Sequence, residues 1–167
     1  CVAGTPENCQ QLMQVKEHIL VYPGGGREVM KNKDELYQLV WKERTGFARM
    51  AMEHGYDIVP FAAIGADEVY TIQYDTHDFY RSKLGRFLQK TGISDKYLRG
   101  GDAFLPLATG LGLLPRPEKF YFAFGERIST ATLQADSDNK TAQWQVREQV
   151  ESSIYQLMND LFARRIE

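Results

Sequence analysis

"YPGGGREVMKNKDELYQLVWKERTGFARMAMEHGYDIVPFAAIGADEVY" runs from Tyr22 to Tyr70. Just before it, "HILVY" (His18–Tyr22) is a short apolar, β-branched and aromatic run that Pro23 ends. It reads as a buried strand. Gly24, Gly25 and Gly26 then form a loop. "DELYQLVWKE" reads as a short helix, and "TGFARMAMEHG" as a better one, with Phe47, Met50 and Ala51 on one face and Gly55 as the stop. "DIVPFAAIG" reads as a second apolar strand ending at Gly65.

Working outward, Thr5, Pro6 and Glu7 supply an N-cap, a first-turn proline and a first-turn acid for a helix from about Pro6 to Val15. "KFYFAFG" (Lys119–Gly125) reads as a third strand. A last helix from about Lys140 to Arg164 carries Val150, Ile154, Leu157 and Leu161 on one stripe. Strands alternating with helices predict an α/β domain: a central, mostly parallel sheet flanked by helices. No repeat, low-complexity tract or linker interrupts the chain, so residues 1–167 are expected to form a single domain.

Composition narrows the function. The chain has 167 residues, 43% hydrophobic and 25% charged, as in a globular domain. A net charge of −2 gives no overall basic field to recruit nucleic acid. No run approaches the roughly 18 apolar residues of a membrane-spanning helix. Cys1 and Cys9 are the only cysteines, and the histidines (His18, His54, His77) are not grouped with them, so no metal site is expected. The thiols are expected to be reduced. A chain starting with Cys also suits a lipoprotein, but a helix start follows almost at once where a flexible tether is usual.

A glycine-rich turn after a strand lets a ligand approach the backbone. The spacing is neither G-x-G-x-x-G, since Val29 occupies the last position, nor a P-loop, since no G-K-[S/T] follows. Arg27 beside Glu28 offers a fork for an anion, or a cation beside a developing oxyanion, next to a carboxylate that can orient it or hold a substrate hydroxyl. The plain alternative is a tight turn carrying a surface ion pair. No G-x-S-x-G nucleophile elbow for an esterase or thioesterase occurs.

These residues resemble the lysophospholipid and diacylglycerol acyltransferase superfamily. The nearest branch is the diacylglycerol acyltransferase-like group that includes the phytyl ester synthases. Gly24, Gly25 and Glu28 match its G-G-x-x-E motif. Arg44, Gly46, Phe47 and Ala51 match R-x-G-F-x-x-x-A. Val59, Pro60, Gly65 and Glu68 match V-P-x-x-x-x-G-x-x-E. The phospholipid branch carries F-P-E-G-T-R at the loop; here Gly24 replaces its glutamate and Gly26 its threonine, which favours a neutral alcohol over glycerol phosphate.

The resemblance implies transfer of a fatty acyl group from acyl-CoA or acyl carrier protein to a lipid hydroxyl such as diacylglycerol or a long-chain alcohol. It implies no cofactor, and a peripheral place on the cytoplasmic face of a membrane. A lysophospholipid acyltransferase and a non-catalytic lipid-binding module are the alternatives. The implied substrate-binding residues are Gly24, Gly25, Gly26, Arg27 and Glu28, with Arg44 and Glu68 behind them; the last two read equally as a structural ion pair. No catalytic residue is expected within the chain. The superfamily's H-x-x-x-x-D base motif is absent, because Pro23, Val59 and Ser82 stand five residues after the histidines. The chain is therefore expected to be the C-terminal part of an acyltransferase domain, inactive alone and prone to dimerise through the surface left uncovered.

Two further stretches are candidates for lipid contact. "HDFYRSKLGRFLQKTG" places Tyr80, Leu84, Phe87 and Leu88 on one helical face, with Arg81, Lys83, Arg86 and Lys90 elsewhere. That suits an anionic membrane surface, although a core-facing helix is the commoner pattern. "AFLPLATGLGLLPRP" is apolar, broken by glycine, and not expected to be a regular helix.

Overall fold

The computed structural model describes residues 3–29, 31–91, 107–112 and 114–166. In chain order its helices and strands are α1 (Pro6–Gln14), α2 (Gly26–Val29), α3 (Gly46–His54), β1 (Phe61–Ile64), β2 (Thr71–Tyr74), α4 (Thr76–Arg81), α5 (Lys83–Lys90), β3 (Leu107–Thr109), β4 (Tyr121–Phe124) and α6 (Lys140–Ile166). Short 3-10 turns lie at Lys33–Glu35, Ala66–Glu68 and Ala131–Asp136. The residues fall into two compact units.

The first unit comprises Cys1–Pro23, Glu43–Ala63 and Phe122–Glu167. Its centre is the contact of α3 with α6, where Ala48, Met52 and Val146 are buried against Phe47, Ile58, Leu133 and Ala142. Small residues on α3 permit this close approach. Gly55, at φ 64, stops α3 as expected: its N–H and that of Tyr56 return to the carbonyls of Met52 and Ala51. The buried Thr130 hydroxyl lies 2.8 Å from the Ala51 carbonyl and 2.7 Å from that of Tyr56. On α6, Gln143 accepts from the Thr45 hydroxyl at 2.9 Å and donates to the Ser137 carbonyl at 2.7 Å. Thr5 caps α1, accepting from the Asn8 N–H at 3.3 Å. Strands β1 and β4 pair, and Phe61 stacks on Phe122 with centroids 5.9 Å apart.

The second unit comprises Gly24–Lys42 and Ile64–Tyr121. Strands β2 and β3 pair antiparallel, Thr71 opposite Thr109. Gly65, at φ 102, lies where a Cβ would come 2.2 Å from the Lys119 carbonyl oxygen. Only glycine meets both conditions.

Several expectations need correction. The described chain is mixed helix and sheet, but its sheets are two-stranded, and no central parallel sheet is present among the described residues. "HILVY" is not a strand: it has no ladder partner among the described residues, and Leu20, Val21 and Tyr22 are exposed. "DELYQLVWKE" is not a helix. Its 3-10 turn ends at Glu35, and Tyr37 adopts φ 57, a left-handed conformation that breaks the run. The basic amphipathic stretch is not one helix. Ser82, extended at φ −67 and ψ 159, ends α4 and caps α5. Cys9 is free, while Cys1 lies outside the described residues. The stretch from Ala103 to Pro117 lies partly outside them; its described part holds β3 and a tight turn, not a helix.

Candidate functional site

The glycine stretch belongs to the second unit: Gly24 and Gly25 lie in a turn, whereas Gly26, Arg27 and Glu28, expected in the loop, form the start of the short helix α2. At Gly24 a Cβ would stand 2.1 Å from Cγ of Glu28, whose side chain folds back over the loop. Gly25 is left-handed at φ 58. At Gly26 nothing among the described residues lies within 4 Å of where a Cβ would be. Its position is open to approach from outside.

Arg27 does not pair with its neighbour Glu28 in the way their adjacency suggested. Its guanidinium Nη2 donates to both oxygens of Glu35, at 2.5 and 2.6 Å. Glu35 Oε2 also accepts the Asn32 N–H at 2.6 Å. Burial works against the Glu35 carboxylate, but Arg27 and Asn32 outweigh it and hold the group below its ordinary value. Glu28 accepts the Val40 N–H at 3.2 Å. The cation and the carboxylate of the loop are thus each fixed by residues of the following segment, Asn32–Val40.

Glu68 ends a second branch of the same unit. It accepts the Tyr37 hydroxyl at 2.7 Å, and that hydroxyl accepts the Gly65 N–H at 3.1 Å. Burial first, then the bond to Glu68, pushes the Tyr37 phenol up to about 12. Asp67 Oδ2 takes the Tyr37 N–H at 2.7 Å and the Lys31 ammonium at 2.8 Å. This bond at Tyr37 explains the broken helix: the N–H goes to a carboxylate thirty residues away. Beyond it, the buried Asn32 accepts from Thr76 N–H at 3.3 Å, and Lys33 donates its N–H to Asp75 and its ammonium to Asp78. Asp75 sits below its ordinary value: burial opposes this, but the N–H groups of Asp78 and Lys33 prevail. Asp78 is lowered chiefly by its bond to Lys33.

Arg44 lies in the first unit, where its Nη1 donates to the Pro23 carbonyl at 3.0 Å. It lines an apolar cavity of about 420 Å³ with Cys9, Met13, Ile19, Val21, Phe47 and Met50. The expected residues therefore divide: Gly24 to Glu28 and Glu68 in one unit, Arg44 in the other. The reading of the sequence missed Asn32, Glu35, Tyr37 and Asp67. Among the described residues no group of His, Cys, Asp and Glu could hold a metal ion, and no helix is long and apolar enough to cross a membrane.

The order of the motifs and the way the second unit ties Gly24–Glu28 to Gly65–Glu68 define a class, and comparison with known proteins names it. Residues 2–164 match the family model for diacylglycerol acyltransferase, and the chain belongs to that family. It is 33% identical over 168 residues to phytyl ester synthase 2, chloroplastic, of Arabidopsis thaliana, covering 95% of this chain and 23% of that protein. It is 32% identical to phytyl ester synthase 1, chloroplastic, of the same plant, over 92% of this chain and 23% of the relative. Diacylglycerol O-acyltransferase 2 of Dictyostelium discoideum is 26% identical, over 79% of this chain and 40% of that protein. The chain thus spans less than a quarter of the two plant relatives. No solved structure matches.

Proposed function

We propose that this chain is the acceptor-side part of an O-acyltransferase that moves a fatty acyl group from a thioester to a lipid hydroxyl. The observation that carries the reading is the family match from residue 2 to 164, which takes in the whole Gly24–Glu28 loop. In the reaction, the acceptor oxygen attacks the thioester carbonyl. A C–O bond forms, the C–S bond breaks, and the hydroxyl proton ends on the departing thiol. The donor is acyl-CoA or acyl carrier protein, and the acceptor diacylglycerol or a long-chain alcohol.

We assign the roles as follows, with the local geometry in support. Gly26, open on its Cα side, lets the acceptor reach the backbone. Arg27, forked by Glu35, is a fixed cation near the charge that develops on the carbonyl oxygen. Glu28, folded over Gly24, orients the acceptor hydroxyl. The apolar cavity beside Arg44 is of ligand size and suits an acyl tail. The general base is supplied from outside this chain, by an H-x-x-x-x-D segment upstream, on the cytoplasmic face of a membrane.

The test is acyl transfer from labelled acyl-CoA to diacylglycerol, to a long-chain alcohol and to lysophospholipid. It is run with the 167-residue chain and with the reading frame that contains it. Product from the longer protein with the neutral acceptors, and none from the chain alone, is expected. Turnover by the chain alone contradicts the placement of the base, and exclusive use of lysophospholipid contradicts the neutral acceptor.

A further inference from the structure

The rotation of α5 about its axis is set by its glycine. A Cβ at Gly85 would stand 2.1 Å from the Phe79 carbonyl oxygen, so this residue is the point of closest packing. Ser82 locks the arrangement, donating its hydroxyl to that carbonyl at 2.6 Å and accepting the Gly85 N–H at 3.0 Å. With Gly85 turned inward, the stripe Lys83, Phe87 and Lys90 (spacing i, i+4, i+7) points the other way. Leu84 and Arg86 take the shoulders. Leu84 and Phe87 are accordingly each 61% exposed.

This reverses the usual surface helix, whose apolar stripe faces the core. The segment Arg81–Thr91 carries Arg81, Lys83, Arg86 and Lys90 and no carboxylate, in a chain whose net charge is −2. Cations beside outward apolar side chains match one kind of surface: anionic headgroups over an acyl layer. Leu84 and Phe87 enter the acyl boundary, and the long basic side chains reach the phosphates.

We propose that α5 seats the second unit on an anionic lipid surface. This deepens the acyltransferase reading, since it brings the chain to the phase that holds a lipid acceptor. Its test does not depend on acyl transfer.

The full 167-residue chain is sedimented with vesicles of phosphatidylcholine mixed with phosphatidylglycerol, and with phosphatidylcholine alone. The expected result is binding to the mixed vesicles that weakens with salt, and little binding to the neutral ones. The K83Q/R86Q/K90Q variant is expected to lose about fivefold per cation, of the order of a hundredfold in all. L84Q/F87Q is expected to lose binding to the mixed vesicles as well. Both variants alter exposed side chains and should keep the far-ultraviolet spectrum of the parent. Equal binding to both vesicles, no binding by the parent, or unchanged binding by both variants overturns the proposal. So does a dimer that L84Q/F87Q dissolves, since the face then serves a second copy.

Discussion

Arg27 reaches past its neighbour Glu28 to hold both oxygens of Glu35, eight residues on, at 2.5 and 2.6 Å. The two side chains are only 11% and 21% exposed, so this is not a solvated surface pair. Removing Arg27 leaves a half-buried carboxylate held by Asn32 alone, with no cation to balance its charge. R27A is expected to cost about 1–3 kcal/mol, and R27K to recover only part of it, because the flexible ammonium lacks the planar, pre-organised geometry of the guanidinium. Urea unfolding of R27A, E35A and the double variant checks this: a coupling near zero would show that the two residues act independently.

Glu35, Asp75 and Asp78 all titrate below their ordinary values, 4.5 for the glutamate and 3.8 for the aspartates. A depressed carboxylate binds fewer protons folded than unfolded. Its contribution is therefore complete above the unfolded value and is lost as pH falls through the folded one. Stability should decline as the solution is acidified from about pH 4.5 downward. The gap between wild type and E35Q in urea midpoint should narrow over the same range; a gap that widens on acidification contradicts the assignment.

Tyr37 has the opposite sign. Its phenol, pushed up to about 12, stays protonated in the fold where the unfolded chain's would ionise near 10. Stability from this group is whole below about pH 10 and disappears as pH rises toward 12. Phenolate absorbance should show one late-titrating tyrosine that is missing in Y37F. That variant should also lose about 1–3 kcal/mol, because the Gly65 N–H and Glu68 give up their shared partner. Titration of all tyrosines together near pH 10 would contradict the geometry.

The glycines make a controlled comparison. G65A sets a methyl against the Lys119 carbonyl at a positive φ and should be strongly destabilised or fail to fold. G26A meets open space and should melt within a few degrees of wild type. In the longer protein G26A should nevertheless slow acyl transfer, if close approach of the acceptor is what Gly26 provides. Equal melting temperatures for G26A and G65A would contradict the packing.

These contrasts mark what the sequence could show. Helix α3 was legible because Phe47, Met50, Ala51 and Gly55 are local signals, and α6 because Val150, Ile154, Leu157 and Leu161 recur at helical spacing. Strands β1 and β4 announced themselves by composition. "HILVY" has the same composition yet forms no ladder among the described residues, since strand formation needs a partner that composition does not reveal. The helix expected across Tyr37 failed for a long-range reason, the bond from its N–H to Asp67. At the site, Gly24, Gly25 and Glu28 were visible as a motif. That the Glu28 side chain lies against Gly24, and that Arg27 belongs to Glu35, depend on how the chain folds back after Asn32.

The central claim is that the Gly24–Glu28 loop serves acyl transfer to a lipid hydroxyl. E28Q tests it most directly, because glutamine keeps the shape and the oxygen that accepts the Val40 N–H while removing the charge. The measurement is the rate of labelled acyl transfer from acyl-CoA to diacylglycerol by the longer protein, wild type against E28Q, with the unfolding midpoint followed in parallel. The account predicts a fall of about tenfold or more, less than the roughly hundredfold of losing a charge-stabilising group outright because glutamine keeps an accepting oxygen, at an unchanged midpoint. An E28Q protein that transfers acyl groups at the wild-type rate would contradict it.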